Sequence, residues 1–199
     1  MLVMVALAAL TLGEPSPPNP GPKPGAEALA VGDYHPPFLL KTLNPERSGM
    51  AVFSTKAHVG SQASEPKHAL LIDFAASYCA PCKEELPRLQ ALVDRYRARG
   101  VQLAVVVIDE EEEGMGSMRK LLLDEMGLAQ PVVWDRFNIV ARRYGASTLP
   151  FLVLIDGAGK VSWLRAGYEP DTVPALEAAL EKLATPAAPD PEKKAPKPR

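Results

Sequence analysis

The hydrophobic pattern predicts alternating strands and helices through the middle of the chain. Continuous apolar runs at Ala69–Phe74 and Val101–Ile108 are typical of buried strands, and the second is rich in β-branched residues, as in a parallel strand covered on both faces. Between them, residues 80–99 carry apolar side chains at the spacing of one helical face. Gly100 follows at the position where a left-handed cap is expected to end that helix.

The rest of the chain continues this alternation and adds antiparallel pieces. The further predicted elements are helices over 117–126, 138–144 and 171–183, an extended piece over 131–134, strands over 151–155 and 160–166, and two upstream strands over 36–40 and 50–53. Ser117 and Asp171 are candidate N-caps, and Asp156–Gly159 is a hairpin turn signal. This order predicts a mixed sheet with helices on both faces.

The two ends of the chain differ in composition from the middle. Met1–Leu12 is an uncharged apolar run, shorter than the roughly 20 residues that span a bilayer. Its length predicts a signal peptide or a short signal-anchor over 1–13; a core helix or a missing upstream start are the alternatives. Residues 14–25 are predicted to be a proline-rich linker and 185–199 a disordered Pro/Lys-rich tail, which leaves one domain over 26–184.

Composition and charge limit the classes of function. The chain has 199 residues, of which 47% are hydrophobic and 23% charged, so it is expected to be globular. Its 22 Lys and Arg against 24 Asp and Glu give a net charge of −2, which provides no electrostatic case for binding nucleic acid. Because only two cysteines are present, a small fold stapled by several disulfides is excluded.

Those two cysteines form the motif Cys79-Ala80-Pro81-Cys82 at the predicted start of a helix. Unpaired backbone N–H groups converge at such a position and favour the thiolate form of the first cysteine. Half of a zinc site, an inert buried pair and a copper-transfer site are the alternatives. Zinc needs four ligands, and the nearest histidine, His68, lies eleven positions before Cys79. The two-residue spacing, without a nearby His or Met pattern, disfavours copper.

The segment around the motif resembles the active-site strand, turn and helix of the thioredoxin superfamily. The resemblance runs through Leu70–Pro87 (LLIDFAASYCAPCKEELP), Val105–Asp109, Tyr144–Gly145 and Thr148–Phe151 to Gly167. It covers residues 34–183, and the phrase Cys-Lys-Glu-Glu-Leu-Pro, the extra N-terminal segment and an insertion over 117–134 are most similar to the TlpA/ResA-like branch. The resemblance implies an α/β fold: a thioredoxin-like three-layer α/β/α sandwich with a mixed sheet, extra N-terminal strands and a central insertion.

The resemblance also implies roles for the residues of the motif and its surroundings. Cys79 is expected to be the attacking thiolate and Cys82 the resolving thiol, the two closing a redox disulfide. Pro150 matches the family's cis-proline, which packs against the disulfide. The residues expected to bind the substrate are Tyr78, Ala80, Pro81 and Leu149. Tyr78 and Ala75 replace the family's more common aromatic residues, and Phe151 replaces Thr, so the rim of the site differs.

Two acids match acids that accompany the cysteines in relatives. Asp73 matches the buried acid of thioredoxins and Glu85 the acid of the ResA-like branch, while Val105 stands where a lysine partner for Asp73 is common. We expect Cys82 to lie deeper than Cys79 and a carboxylate to act as its base, with Asp73 favoured and its pKa raised by burial. The alternative is that Asp73 only forms hydrogen bonds within the core.

Other polar residues are weaker candidates for a site. The acidic run Asp109–Glu113 lacks the spacing of a calcium loop and is predicted to be a solvated loop. The remaining expectations are that His35, His58 and His68 lie at the surface or in turns, and that Trp134 and Trp163 lie in the core. No cofactor and no metal are expected.

The function predicted from these observations is exported thiol–disulfide exchange. The expected substrates are protein dithiols and disulfides, with an upstream redox partner, in the membrane or outside it, and a periplasmic or secreted location. A peroxiredoxin-like peroxidase is a second hypothesis, although Ala76 occupies the position where that chemistry usually has Thr. A non-catalytic binding module of the same fold is a third.

Overall fold

The computed structural model of the protein describes residues 29–184. The predicted signal segment, linker and C-terminal tail lie outside the described residues, so the predicted domain boundaries stay predictions. Within residues 29–184, no helix combines the length and the apolar character needed to cross a membrane.

The two continuous apolar runs of the sequence form the two central parallel strands. The strands are β1 (Leu39–Lys41), β2 (Val52–Ser54), β3 (Ala69–Ala75), β4 (Val101–Val107), β5 (Val132–Trp134), β6 (Phe151–Asp156) and β7 (Val161–Ala166). The main sheet has the order β5-β4-β3-β6-β7. Strands β3, β4 and β5 are parallel, β6 is antiparallel to β3, and β7 is antiparallel to β6. The predicted mixed sheet is therefore confirmed.

Helices cover both faces of this sheet. They are α1 (Pro45–Ser48), α2 (Thr55–His58), α3 (Ala80–Tyr96), α4 (Glu112–Arg119), α5 (Ile139–Tyr144) and α6 (Thr172–Leu183), with a 3₁₀ turn over Arg97–Arg99 and a π-helical segment over Lys120–Glu125. Gly100 and Gly145 adopt positive φ angles of 76° and 73° and end the helical segments before them. A left-handed cap is easiest for glycine because it has no Cβ, so both predicted helix ends are explained.

Alternating side chains of the central strands fill two separate cores. Leu71 and Ala75 of β3 face one core, which also contains buried residues of α3 and α6. Ile72 and Phe74 face the other, which contains residues of α5 and the N-terminal hairpin. Burying one such apolar side chain stabilises the fold by about 1.5–3 kcal/mol, so a sheet covered on both faces supplies most of the driving force.

The N-terminal strands form a separate hairpin rather than an extension of the main sheet. Strands β1 and β2 pair antiparallel, slightly later in the chain than predicted, because Pro36 and Pro37 carry no N–H for a ladder. The buried Asn44 amide donates to the carbonyls of Leu128 and Gln130, at 3.2 and 2.9 Å. This side chain fastens the hairpin to the central insertion.

The central insertion differs from its predicted form. Helix α4 begins at Glu112 instead of Ser117, whose hydroxyl donates to the Glu113 carbonyl from inside the helix. Acidic side chains are stabilised at a helix N-terminus by the helix dipole, so part of the acidic run starts a helix. The helix end is close to the predicted one, because α4 continues into a π-helical turn that ends at Glu125, and Gly127 follows with a positive φ angle.

A second correction concerns the start of α6. Asp171 lies at the N-cap, as predicted, but its side chain forms no cap hydrogen bond. Its carboxylate instead forms an ion pair with Arg165, at 3.2 Å. The Asp171 carboxylate is thus turned toward Arg165 and away from the first turn of α6.

Candidate active site

The two cysteines lie at the N-terminus of α3 and form a disulfide, with an S–S distance of 2.05 Å. Cys79 is the N-cap residue, and its Sγ accepts a hydrogen bond from the Cys82 backbone N–H at 3.2 Å. Pro81 fits in the first turn, where a missing N–H removes no helical hydrogen bond. Cys79 is 6% exposed and Cys82 only 1%, so Cys82 is the deeper of the two, as predicted.

An open apolar groove of about 330 Å³ borders Cys79. Its lining residues are Tyr78, Cys79, Pro81, Ile108, Ala146, Ser147 and Leu149. Three of the four predicted substrate-binding residues therefore line it, while the fourth, Ala80, is exposed at the start of α3. The side chain of Tyr78 is 73% exposed at the rim.

The segment before β6 supplies the other wall of the groove. The peptide bond between Leu149 and Pro150 is cis, as the resemblance implies. Pro150 is buried, and its carbonyl accepts a hydrogen bond from the Gly167 N–H at 2.8 Å. Leu149 packs against both hydrophobic cores. One side of the groove is thus formed by a segment that packs against both cores and is hydrogen-bonded to the end of β7.

The register of the sheet places Asp73 on the same side as the cysteines. Asp73 pairs with Val105 of β4 and with Leu152 of β6, and it alternates with Leu71 and Ala75, which face the core containing Cys79 and Cys82. The predicted absence of a charged neighbour on β4 is confirmed. Asp73 is 1% exposed, and its Oδ1 has no hydrogen-bond partner among the described residues.

Glu85 lies one helical turn after Cys82, on the same buried face of α3. It is as buried as Asp73, and neither of its carboxylate oxygens has a hydrogen-bond partner among residues 29–184. Burial raises the pKa of Glu85 to about 7, against the opposing charges of Arg88 and Arg165. Burial raises the pKa of Asp73 well above its usual value, and the charge of Glu85 adds to this shift.

These shifts predict how stability depends on pH. Each acid is easier to protonate in the folded protein than in the unfolded chain, so proton binding favours the folded state. This contribution to the free energy of unfolding is fully present below pH 4. It is lost as pH rises through the folded pKa, about 7 for Glu85. Glu85→Gln is expected to match the wild type near pH 4 and to be more stable by up to about 3 kcal/mol at pH 8. Urea unfolding at both pH values measures this difference.

Glu84→Gln is the matched control, because Glu84 is the exposed neighbour of Glu85 on α3. It should leave the change in unfolding free energy between pH 4 and pH 8 as in the wild type. If Glu85→Gln has the pH dependence of the wild type, the conclusion that burial destabilises the ionised Glu85 carboxylate is contradicted.

The environment of one acidic residue was wrongly predicted from the sequence. Asp109, predicted to belong to a solvated loop, is 4% exposed. Its carboxylate accepts hydrogen bonds from the Ser77 backbone N–H at 2.9 Å and from the Ser77 hydroxyl at 2.5 Å, two residues before Cys79. The available signal was its position immediately after a buried parallel strand, where such side chains reach neighbouring strand ends.

The histidine prediction was wrong for two of the three residues. His35 and His58 are buried, His35 with its Nδ1 2.9 Å from the Gly159 carbonyl and His58 with its ring against Phe53. Burial lowers the pKa of both histidines. Among the described residues, no group of His, Cys, Asp and Glu could hold a metal ion.

A disulfide bordered by a groove can be attacked by an incoming thiolate, and its two sulfurs lie within one helical turn, so either opening or closing it needs only local change. On a mixed five-stranded sheet with helices on both faces, this chemistry defines the class of thioredoxin-fold thiol–disulfide oxidoreductases.

Comparisons with known proteins agree with this class. The Redoxin family matches residues 45–180, and the chain belongs to that family. The thiol-disulfide oxidoreductase ResA of Bacillus thuringiensis (strain Al Hakam) is 30% identical over 157 residues, 79% of this chain and 80% of the relative. ResA of Geobacillus thermodenitrificans is 28% identical over 140 residues, 70% of this chain and 71% of the relative.

Solved structures show the same fold. A crystal structure from Chlorobium tepidum, described as the thiol:disulfide interchange protein DsbE, superposes with a TM-score of 0.65 and 28% identity, covering 78% of this chain and 99% of that one. StoA from Bacillus subtilis superposes with a TM-score of 0.55 and 22% identity, covering 72% and 95%. The protein is therefore a thioredoxin-fold enzyme similar to ResA.

Proposed function

We propose that the protein is an exported reductant of protein disulfides that works through Cys79 and Cys82. The observation that carries this proposal is the contact between Cys79 and α3: its sulfur occupies the N-cap, accepts the Cys82 N–H, and borders the groove. A thiolate at this place is stabilised by the helix N-terminus and is accessible to a substrate.

The proposed cycle starts from the reduced enzyme. The Cys79 thiolate attacks one sulfur of a substrate disulfide, forming a mixed disulfide and releasing the other substrate sulfur as a thiolate. Cys82, deprotonated by a nearby carboxylate, then attacks the Cys79 sulfur. This second step forms the Cys79–Cys82 disulfide and releases the reduced substrate, so two electrons pass from the enzyme to the substrate. An upstream redox partner, in the membrane or outside it, then reduces the enzyme.

The groove supports a peptide as substrate rather than a small cofactor. Tyr78, Pro81 and Leu149 give it apolar walls, and it is open to solvent beside Cys79, as an extended peptide segment requires. We assign substrate contact to these residues and to Ala80, and support of the disulfide to Pro150. Substrates are therefore expected to be proteins with an accessible disulfide.

The proposed location is outside the cytoplasm, periplasmic or secreted. The apolar run Met1–Leu12 followed by the proline-rich residues 14–25 supports it, since this order is typical of an export signal and a linker. If residues 1–13 are removed, the domain is released from the membrane, and if they are retained, they anchor the domain to it.

Export predicts a defined N-terminus for the protein in its native host. If residues 1–13 are a signal peptide, the mature chain should begin near Glu14 and fractionate outside the cytoplasm. N-terminal sequencing and cell fractionation measure both. Intact Met1 in the membrane fraction indicates an anchor, and intact Met1 in the cytoplasm contradicts export.

Two enzyme assays on one purified sample test the proposed activity against its rivals. The reductant is expected to accelerate reduction of insulin by dithiothreitol and to consume little hydrogen peroxide. A peroxiredoxin-like peroxidase is expected to consume peroxide at the higher rate, and a binding module to do neither. Ala76, in place of the usual Thr, favours the first outcome.

A further inference from the structure

The ends of three strands and the start of α4 meet in a small cluster beside the nucleophile. This cluster, called here the Asp109 clamp, consists of Ser77, Asp109, Gly114 and Trp134. Asp109 follows β4 by two residues and Ser77 precedes Cys79 by two. The Trp134 indole Nε1–H at the end of β5 donates to the Asp109 carbonyl at 2.6 Å. The clamp therefore joins the segment before Cys79 to the ends of β4 and β5.

The clamp begins where backbone pairing stops. The register of β3 with β4 ends at Ala75 and Val107, and the Ile108 N–H still donates to the Ala75 carbonyl at 3.0 Å. Beyond that point the Ser77 N–H has no strand to pair with. The Asp109 carboxylate accepts it through both oxygens, at 2.9 and 3.2 Å. A charged acceptor makes such a bond shorter and roughly twice as strong as a neutral one.

Gly114 allows α4 to lie directly against this carboxylate. A Cβ added at Gly114 would lie 2.9 Å from the Ser77 hydroxyl oxygen and would collide with Asp109 Oδ1. A glycine inside a helix is less favourable than alanine by about 1 kcal/mol, so the backbone conformation gives no reason for it. Gly116, two residues later in the same helix, has open space around its Cα. The close approach is therefore specific to Gly114.

The carboxylates of this region also face the rim of the groove. Desolvation raises the pKa of Tyr78, and the charges of Asp109 and Glu110 raise it further. The acidic groups that act on Tyr78 are thus Asp109 and Glu110, while Asp73 and Glu85 are buried on β3 and α3. Substitution of Gly114 changes none of these charges.

We propose that Asp109 is a positioning residue for Cys79, and that Gly114 is required to admit its carboxylate. By holding Ser77 through three hydrogen bonds, Asp109 fixes the short segment that carries Tyr78 and Cys79. It thereby sets where the Cys79 sulfur sits relative to the Cys82 N–H and to the groove. This inference rests on the proposed function, because it assigns a role in the first attack by Cys79.

The test compares two glycines of one helix. Gly114→Ala is expected to slow the attack of the reduced enzyme on 5,5′-dithiobis(2-nitrobenzoate) at pH 7 by about tenfold, because a small displacement of a reacting atom has effects of this size. It is also expected to move the pH profile of Cys79 alkylation by iodoacetamide to higher pH. Gly116→Ala should leave both the rate and the profile unchanged.

The Asp109→Ala background tests whether the two residues act together. There Gly114→Ala should cause a clearly smaller further loss, since its Cβ no longer meets a carboxylate and only the Ser77 hydroxyl oxygen remains close to it, and the two effects should be non-additive. An equal loss from Gly114→Ala in both backgrounds overturns the proposal. So does a Gly114→Ala variant with the attack rate and alkylation profile of Gly116→Ala.

Asp109→Asn keeps the test decisive if Gly114→Ala does not fold. Removing a negative charge beside Cys79 favours the thiolate by electrostatics alone and predicts faster attack, whereas the positioning role predicts slower attack because one acceptor is lost. Faster attack overturns the proposal. Failure of the proposed function is a separate result: the wild type and Gly116→Ala then both lack insulin reduction, while the alkylation profiles still report on the clamp.

Discussion

Cys79→Ser is expected to lose thiol–disulfide exchange by a factor on the order of a thousand or more, because a serine hydroxyl is not ionised at neutral pH and is a poor nucleophile toward sulfur. Cys79 is the pair member that borders the groove, whereas the remaining thiol, Cys82, is 1% exposed and does not line it. The measurement is insulin reduction by dithiothreitol, with the wild type beside the variant. A Cys79→Ser enzyme with wild-type activity contradicts the assignment of the nucleophile.

Cys82→Ser is the matched variant, and it should fail differently. The first attack is kept, but the mixed disulfide cannot be resolved, so one equivalent of substrate stays attached to Cys79. Mass spectrometry of the non-reduced protein detects this adduct. If the adduct instead accumulates on Cys82 in Cys79→Ser, the roles of the two cysteines are reversed.

The second large effect is expected at the two buried acids. Resolution of the mixed disulfide needs the Cys82 thiol to ionise in an apolar place, and a nearby carboxylate that accepts its proton speeds this step. Glu85 lies one helical turn after Cys82, Asp73 lies on the face of β3 whose core contains Cys82, and both acids are buried. We expect Asp73→Asn and Glu85→Gln each to slow resolution by about tenfold, and the double variant by about a hundredfold. The first attack by Cys79 should stay nearly unchanged.

The pH profile separates the contributions of the two acids. A base is effective when its pKa lies near the working pH, and the pKa of Glu85 is about 7, whereas that of Asp73 is raised well above its usual value. Resolution should therefore accelerate as pH rises through 7, and this inflection should disappear in Glu85→Gln but persist in Asp73→Asn. Stopped-flow fluorescence measures both steps. Equal resolution rates in both single variants, the double variant and the wild type contradict the proton-transfer role.

The sequence alone predicted the features that depend on local pattern. Continuous apolar runs identified β3 and β4, helical spacing identified α3, and glycine identified the helix ends at Gly100 and Gly145. The absence of a charge beside Asp73 followed from the resemblance, which placed Val105 opposite it, and the register of β3 and β4 agrees. The motif at Cys79 and Cys82 located the site, because the spacing of the cysteines at the start of a helix is itself a local pattern.

Features that depend on tertiary neighbours could not be read from the sequence. The run after β4 is uniformly acidic, yet Asp109 is buried on Ser77 while the glutamates at 112 and 113 begin α4. Asp109 and these glutamates carry the same kind of side chain. Only the position of the backbone in the folded protein distinguishes the buried acid from the acids that begin α4. His35 is buried against the turn before β7, and His58 is buried against Phe53 of the hairpin. No local sequence pattern predicts either contact.

The reduction potential of the Cys79–Cys82 pair tests the proposed reductant most directly. No histidine lies between the cysteines to stabilise the thiolate form, and the buried acids Asp73 and Glu85 oppose further negative charge, so the reduced form should not be unusually stable. Equilibration with glutathione and dithiothreitol buffers, read by alkylation and mass spectrometry, should give a value of about −220 to −280 mV, nearer to thioredoxin than to a strong oxidant. A value above about −160 mV contradicts the assignment as a reductant.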